Sequence, residues 1–300
     1  GWSLTPLRVY TARKTKRTPT MTIPARKLRL PVFILPGLLC LLPAIFVQPA
    51  QAQQRLRQWV AQHMEQRQEK HPAKLPALPP GSRTELDIAY GAAPGQRYDV
   101  YLPARPGPNT PIIFMVHGGG WALGDKRMPQ VVENKANYWL NKGDIFISAN
   151  NRLVPEADPL QQARDIALAV ASAQQHATRW NADPKRLILM GHSAGAHLVA
   201  LLGSKPEMLK EAGAQRPMGV VSLDSGALDV PALMAQPRLP GFYRDAFGSD
   251  PSYWQAASPQ QQLENAALPM LLVCSSIRHF PTSPCDEAGK FAQRAKTLGI

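Results

Sequence analysis

The segment Arg186–Gly203, with the sequence RLILMGHSAGAHLVALLG, constrains the fold more than any other stretch of this chain. It indicates a short apolar strand over Leu187–Met190, a tight turn, and a helix that begins near Ala194. The turn has the pattern G-x-S-x-G, with Ser193 at its apex. A strand that reverses into a helix within two residues strains the backbone at the apex, and flanking glycines let the chain pass without clashes. We therefore predict that the Ser193 hydroxyl stands clear of the sheet as a nucleophile, rather than being an ordinary serine in a glycine-flanked turn.

Strands and helices alternate along the chain on both sides of this segment. The other predicted strands are Leu86–Tyr90, Gln96–Leu102, Pro111–Val116, Asp144–Ala149, Gly219–Leu223 and Pro269–Val273. The other predicted helices are Met128–Asn141, Pro159–Asn181 and Asp286–Leu298. Such alternation is typical of an α/β fold, in which a doubly wound, mainly parallel sheet has helices on both faces.

A second glycine motif, HGGGW at His117–Trp121, follows the apolar run Pro111–Val116. Acyl transfer creates a negatively charged oxygen, and backbone N–H groups that already point at it stabilise the transition state. Consecutive glycines let the backbone approach such an oxygen closely. We expect Gly119 and Gly120, together with the N–H of Ala194, to form an oxyanion hole. A phosphate-binding loop fits less well, because no Lys-Ser/Thr pair follows the glycines.

The first 85 residues differ in composition from the rest. Residues 1–20 show no apolar periodicity and are expected to be an upstream extension, with Met21 as the start. From Met21 a basic stretch precedes the apolar run Leu30–Val47, and Ala50–Ala52 supplies a small-x-small triplet. This order predicts a signal peptide over 21–52, cleaved after Ala52, and hence a periplasmic or secreted protein. A retained N-terminal membrane anchor is the alternative.

The charge of the chain is concentrated before the predicted cleavage site. The formal net charge is +13, but residues 1–52 hold eight Lys and Arg and no acidic residue, which leaves 26 basic against 21 acidic residues beyond them. The residues after the predicted cleavage site have a formal net charge of +5, which gives no reason to expect a nucleic-acid partner. Residues 53–85 are expected to form a polar helix and a Pro-rich linker, and residues 86–300 the α/β domain. No stable membrane partner is expected after cleavage.

Three motifs together resemble a known family. They are HGGGW at 117–121, GHSAG at 191–195 and NRLVPEADPLQQARDIALAV at 151–170. On these motifs the chain resembles the α/β-hydrolase fold, in its hormone-sensitive-lipase-like esterase branch, and is similar to feruloyl-esterase-like (BD-FAE-type) and formamidase-type relatives. The resemblance covers residues 86–300. It implies hydrolysis of small-molecule carboxylic esters through an acyl-enzyme on Ser193, with no cofactor.

The catalytic acid of this family is harder to locate. The acid follows the serine in the chain, and its expected position near His279–Phe280 holds no carboxylate. Asp286 is the tentative acid and Glu287 the next candidate, although both could instead cap the helix that starts there. Asp224, at the end of the preceding strand, is a further candidate.

The catalytic histidine has no clear position either. It is expected after one more strand beyond the helix Asp286–Leu298, whereas the sequence ends at Ile300. His279 occupies the place of the acid rather than that of the base. The last strand of the sheet is therefore expected to be missing, which would leave an exposed edge. The chain is then either a fragment of a working esterase or a weak or non-catalytic relative that binds ligands. An amidase or peptidase on the same fold is a further alternative.

Two cysteines, Cys274 and Cys285, remain after the predicted cleavage. In an exported protein they could form a disulfide, or stay as free thiols. No spacing of His, Asp or Cys matches a metal site, and none is expected.

Overall fold

The computed structural model describes residues 8–11, 76–275 and 278–300. All of these residues belong to one compact unit, which comprises Gly1–Ala12 and Ala73–Ile300. The predicted signal peptide over 21–52, the polar helix and most of the linker lie outside the described residues.

A mixed sheet of eight strands forms the centre of the described part of the chain. The strands are β1 (Arg8–Thr11), β2 (Arg83–Ala89), β3 (Arg97–Leu102), β4 (Thr110–Val116), β5 (Ile145–Ala149), β6 (Ala182–His192), β7 (Gly219–Leu223) and β8 (Met270–Cys274). Their order across the sheet is β1-β8-β7-β6-β4-β5-β3-β2. Strand β3 runs antiparallel to both of its neighbours, β2 and β5, and the other pairs are parallel. The predicted α/β class and mainly parallel sheet are therefore confirmed.

Helices connect these strands. They are α1 (Pro129–Asn141), α2 (Pro159–His176), α3 (Ala194–Ser204), α4 (Glu207–Glu211), α5 (Val230–Met234), α6 (Gly241–Phe247), α7 (Pro251–Ala256) and α8 (Pro284–Thr297), with a 3₁₀ turn at Ala177–Trp180. Helix α2 begins where the side chain of Asp158 accepts a hydrogen bond from the Gln161 N–H, while the Gln161 side chain caps Asp158 in return. Within the described residues, no helix combines the length and hydropathy that crossing a bilayer requires.

Strand β4 divides the core into two layers. Its residues Ile112, Phe114 and Val116 pack into the larger apolar cluster, while Ile113 and Met115 pack into a second cluster with helix α1. Successive side chains of a strand point to opposite faces, so a strand covered on both sides must be apolar throughout. This burial holds the carboxyl end of β4, and the glycine motif after it, in a fixed position.

No strand follows α8 in the described residues, as the sequence predicts, but the edge beside β8 is paired with a segment from the start of the chain. Arg8–Thr11 pairs in parallel with β8, with Val9 opposite Leu272, so this edge is not left open by a missing last strand. The residues after α8 add no strand. A segment of four residues is too short to show a period-2 pattern, and its pairing depends on the backbone groups of β8.

The opposite edge is formed by β2, which carries a bulge. Its pairing with β3 shifts register between Glu85 and Ile88, and Asp87 there has a φ of 56°. The bulge turns the Asp87 carboxylate toward Lys126 and Arg127, which it contacts at 2.7 and 2.6 Å. This irregular strand therefore also anchors the segment that follows the glycine motif.

Candidate active site

Ser193 occupies a strained turn between β6 and α3. Its backbone has a φ of 53° and a ψ of −114°, a conformation that side-chain-bearing residues rarely adopt. Its N–H donates a hydrogen bond to the carbonyl oxygen of Leu223 on the adjacent strand β7, at 2.9 Å. Its side chain is half-buried. The chain thus maintains an unfavourable backbone conformation at the residue that the sequence predicts to be the nucleophile.

The glycines of this turn permit a close approach to β4. A Cβ at Gly195 would overlap the backbone carbonyl oxygens of Val116 and His117, and a Cβ at Gly191 would overlap the carbonyl of Gly195. Because the obstacles are backbone atoms, no side-chain rearrangement could relieve the overlap. The G-x-S-x-G pattern is therefore a requirement of packing between the start of α3 and the end of β4.

The glycine motif after β4 folds into a compact loop beside Ser193. Gly119 has a φ of 132° and Gly120 a φ of 61°, both in the region that favours glycine. The carbonyl of Gly119 accepts hydrogen bonds from the N–H groups of Ala122 and Leu123, at 3.3 and 3.0 Å. These two hydrogen bonds fix the turn that follows the glycines.

The Ser193 side chain opens into a cavity of about 70 Å³. The described residues that line it are Gly120, Trp121, Ser193, Ala194, Gly226, Ala227, Phe242, Tyr243 and Arg278. The structure therefore brings Ser193 together with two of the three predicted oxyanion-hole residues, Gly120 and Ala194. Gly119, the third, is exposed and does not line this cavity.

Trp121 connects the glycine loop to helix α3. Its indole Nε1–H donates a hydrogen bond to Nδ1 of His197 at 3.2 Å, and Nε2 of the same imidazole lies 2.8 Å from the carbonyl oxygen of Ala257. Because Nδ1 accepts, the imidazole proton must be on Nε2. Burial lowers the pKa of His197 to about 4, so the ring is neutral at physiological pH. His197 thus serves as a packing and hydrogen-bonding residue.

The carbonyl oxygen of Trp121 is also held in place. It accepts hydrogen bonds from the Val154 N–H at 3.0 Å and from Nε2 of Gln162 at 2.8 Å. In the same region the Arg152 guanidinium forms an ion pair with the buried carboxylate of Asp165 at 2.7 Å. The segment that resembles the esterase family over 151–170 therefore supports the glycine loop. The role of Gln162 could not be predicted from the sequence, because its partner Trp121 lies 41 positions earlier.

A cluster of four charged residues anchors the chain after the loop. Lys126 is buried and lies 2.7 Å from Asp87 and 3.0 Å from the fully buried Asp99. Arg127 contacts the same two carboxylates, each at 2.6 Å. Burial by itself would raise the pKa of Asp87, but the hydrogen bonds and charges of Lys126 and Arg127 outweigh it and lower the pKa.

None of the described histidines lines the Ser193 cavity. His117 is buried, its Nδ1 lies 2.8 Å from the Gly118 carbonyl oxygen, and burial lowers its pKa. His279 is exposed and lines a different cavity, of about 180 Å³. In the described part of the chain, no histidine therefore lines the cavity that Ser193 faces.

The tentative acid Asp286 is not brought to Ser193, and this geometry corrects its assignment. Its side chain is exposed at the start of α8, where its N–H donates to the Ser283 hydroxyl at 3.2 Å, and it lines the cavity that contains His279. Glu287 is buried and accepts a hydrogen bond from the Asp229 N–H at 3.1 Å. Ser283 is the N-cap of α8, so the capping role that the sequence offered for Asp286 and Glu287 belongs to Ser283, and Asp286 lies in the first turn.

Asp224 lies at the carboxyl end of β7, immediately after the residue that accepts the Ser193 N–H. It has a φ of 55°, and its carboxylate accepts a hydrogen bond from the Ser275 hydroxyl at 2.6 Å. Its own N–H donates to the Val273 carbonyl of β8 at 2.8 Å. Of the carboxylates considered from sequence, Asp224 is the one that the sheet places beside the elbow.

Cys274 and Cys285 form a disulfide, with 5.2 Å between their Cα atoms. The bond joins the end of β8 to the first turn of α8 and closes the segment between them. Among the described residues, no group of three or more His, Cys, Asp or Glu is placed to hold a metal ion.

Residues 98–220 match the BD-FAE family model. The chain is 31% identical to the kynurenine formamidase of Danio rerio over 121 residues, which is 40% of this chain and 39% of that protein. It is 25% identical to the isoprenylcysteine alpha-carbonyl methylesterase of Arabidopsis thaliana over 228 residues, which is 71% of this chain and 52% of that protein. The chain therefore spans about half or less of the length of these relatives.

Solved structures share the fold at low sequence identity. Esterase B from Lactobacillus rhamnosis superimposes with a TM-score of 0.64 at 20% identity, covering 83% of this chain and 81% of that one. A truncated carbohydrate esterase from gut microbiota superimposes with a TM-score of 0.65 at 20% identity, covering 76% of this chain and 88% of that one. The chain thus has the α/β-hydrolase fold, and residues 98–220 within it match the BD-FAE family model.

Proposed function

We propose that this chain is a serine hydrolase that cleaves carboxylic esters through an acyl-enzyme on Ser193. The observation that carries the proposal is the strained backbone of Ser193, whose side chain opens into the same cavity as Gly120 and Ala194. A fold retains strain of this kind where the surrounding structure over-determines it, and such sites are commonly functional. The esterases and the formamidase among the relatives support the same reaction class.

The proposed reaction has two steps. The Ser193 oxygen attacks the ester carbonyl carbon and loses its proton, the bond from carbon to the alcohol oxygen breaks, and the alcohol leaves protonated. Water then attacks the acyl-enzyme and releases the acid. In each step the carbonyl oxygen becomes negative and accepts hydrogen bonds from the N–H groups of Gly120 and Ala194, the two predicted donors that line the cavity.

The rate depends on what removes the Ser193 proton. Among the described residues, no histidine lines the cavity. The described site itself therefore accelerates the reaction only through its oxyanion donors and through substrate binding. In serine hydrolases these two contributions alone accelerate the reaction roughly 10³- to 10⁴-fold over the uncatalysed rate in water. We therefore propose slow turnover for this chain, with Asp224 as the acid that would orient a histidine.

Covalent labelling tests the nucleophile without requiring fast turnover. The chain is incubated with a fluorophosphonate, and the modified peptide is identified by mass spectrometry. Hydrolysis of p-nitrophenyl acetate is followed in parallel. We expect label on Ser193, and loss of both label and esterase activity in Ser193→Ala. The matched control is Ser252→Ala, an exposed serine on α7 that contacts Asp250. Equal label or equal turnover in wild type and Ser193→Ala would contradict the proposal.

Amides are the second substrate class that an observation favours. The chain is similar to a kynurenine formamidase over 121 residues, and the family model matches residues 98–220, which contain both the glycine loop and the elbow. A direct comparison of p-nitrophenyl acetate with p-nitroacetanilide at equal concentration separates the two classes. A faster release of p-nitroaniline than of p-nitrophenol would make the chain an amidase.

We also propose that the chain is exported to the periplasm or the medium. The order of basic, apolar and small residues over 21–52 and the disulfide between Cys274 and Cys285 support this location. The test is expression of the chain in a bacterium with a periplasm, followed by fractionation and N-terminal sequencing. A mature protein beginning at Gln53 is expected, which would lack β1 and leave the edge beside β8 without that strand. Retention of residues 21–52 in the membrane fraction would instead show an anchor.

A further inference from the structure

Arg278 places a positive charge at the wall of the Ser193 cavity. Among the described residues that line this cavity it is the one charged side chain, and its neighbours there are small or aromatic, such as Phe242 and Tyr243. Burial raises the pKa of Tyr243, and the charge of Arg278 opposes that shift, which places the guanidinium within electrostatic reach of the phenol. Nothing in the reaction proposed above uses this charge.

The Arg278 guanidinium has room at this position because residue 226 is a glycine. A Cβ at Gly226 would overlap the guanidinium of Arg278 and would lie 2.9 Å from Oγ1 of Thr282. The Thr282 hydroxyl donates a hydrogen bond to the Gly226 carbonyl oxygen at 2.5 Å. Arg278 and Thr282 lie in the segment closed by the disulfide between Cys274 and Cys285. The disulfide, the threonine and the absence of a side chain at Gly226 together position Arg278 at the cavity wall.

A guanidinium so placed matches one kind of ligand group. Its planar N–H donors pair with a carboxylate through two parallel hydrogen bonds, and such charge-assisted bonds are about twice as strong as neutral ones. The aromatic walls suit an apolar or planar body between the charge and the ester. A cavity of about 70 Å³ holds only a small group next to Ser193.

We propose that this site selects esters in which a small acyl group is joined to an alcohol that carries a carboxylate, and that Arg278 is the residue that determines this preference. The inference rests on the proposed function, since the ester is placed by Ser193. It adds a substrate class, because an uncharged ester of the same shape would gain nothing from the guanidinium.

Binding of amide analogues tests this preference, and the Ser193→Ala variant keeps the measurement independent of turnover. The probes are 3-acetamidobenzoate and 4-acetamidobenzoate, which place the carboxylate at two distances from the acyl carbonyl, and the two corresponding neutral benzamides. Dissociation constants are measured by calorimetry for wild type and for Ser193→Ala. We expect at least one anion to bind about tenfold more tightly than its neutral partner.

Three variants identify the group responsible. Arg278→Gln should bring the anion to the affinity of the neutral probe, and Arg278→Lys should retain part of the preference because the charge remains. Arg294→Gln, which removes an exposed arginine of α8 that does not line the cavity, should leave the preference unchanged. Circular dichroism confirms that each variant is folded.

The outcomes separate this inference from the proposed function. Equal affinity for anionic and neutral probes in wild type, or an unchanged preference in Arg278→Gln, would overturn the role of Arg278 even if Ser193 hydrolyses p-nitrophenyl acetate. A carboxylate preference that disappears in Arg278→Gln, in a chain that a fluorophosphonate does not label, would retain the binding site and reject the hydrolase. When turnover is measurable, 4-acetoxybenzoate should exceed 4-acetoxybenzamide in kcat/KM, mainly through KM.

Discussion

The indole N–H of Trp121 donates a hydrogen bond to Nδ1 of His197 across 3.2 Å, and both side chains are buried. Trp121 ends the glycine motif, and His197 lies one turn into the helix that begins after Ser193. The T-shaped contact of their rings, with centroids 5.4 Å apart, adds to this connection. The two motifs that were recognised separately in the sequence are therefore joined by one side-chain pair.

Removal of the indole N–H should destabilise the protein. Trp121→Phe keeps an aromatic ring but leaves Nδ1 of His197 buried without a donor, so we expect the free energy of unfolding to fall by about 1–3 kcal/mol. Urea denaturation measures the change. Trp139→Phe, in the cluster on the other face of the sheet, is the matched control and should lose less. An equal loss in both variants would show that the hydrogen bond contributes nothing.

The buried His197 should make stability depend on pH. Burial lowers the folded-state pKa to about 4 from an ordinary value of 6.5, so the unfolded chain binds the proton more strongly between these values. The free energy of unfolding should therefore decrease as the pH falls from about 6.5 to about 4. His197→Gln can keep an acceptor and a donor but does not titrate, so its urea midpoint should vary less over this range. An identical pH profile in the variant would contradict this assignment.

Relief of the strain at Ser193 should stabilise the fold at the expense of the reaction. Ser193→Gly replaces a side-chain-bearing residue at a φ of 53° with the residue that adopts this conformation most readily. We expect the free energy of unfolding to rise by about 1 kcal/mol or more, and to exceed that of Ser193→Ala, which retains a Cβ. Denaturation of the three proteins under one condition gives the ranking. A glycine variant that is less stable than the alanine variant would argue against strain.

Two glycine-to-alanine substitutions should have opposite effects. In Gly195→Ala the new methyl group overlaps the backbone carbonyls of Val116 and His117, and we expect a loss of about 1–3 kcal/mol together with loss of Ser193 labelling. In Gly289→Ala, on α8, the new methyl group meets nothing within 4 Å. There the higher helix propensity of alanine should add up to about 1 kcal/mol. Thermal unfolding compares the two variants, and a neutral Gly195→Ala would show that the elbow tolerates a side chain.

The strands and helices were predictable where burial is continuous. Strand β7 has the bounds that its apolar run predicted, and β4 extends the predicted Pro111–Val116 by one residue. Strand β6 begins five residues before the predicted Leu187, at Ala182, which pairs with Thr110 of β4. The register shifts after this pair, and the polar run Asp183–Arg186 in this irregular part carries no apolar strand pattern. The last turn of the predicted Pro159–Asn181 helix is 3₁₀, and it ends at Asn181, which adopts a left-handed φ of 57°.

Within the candidate site, only the features that depend on a few neighbouring residues were predictable from the sequence. The position of Ser193 follows from two glycines at fixed spacing, because steric limits on a turn act over a few residues. Arg278 gave no such signal, since its place in the cavity depends on a disulfide and on packing against Gly226, 52 positions earlier. Asp286 was misassigned for the same reason. Its position in the sequence near the end of β8 did not show that its side chain faces a different cavity.

The bulge at Asp87 also affects how this molecule meets others. A regular outermost strand presents an unbroken row of N–H and C=O groups with which a strand of another molecule can pair. In β2 that row is interrupted where the register shifts, and a lysine and an arginine lie against the Asp87 carboxylate at the interruption. The bulge at Asp87 and its ion pairs, which fix the segment after the glycine loop, thus also disfavour pairing between the β2 edges of neighbouring copies.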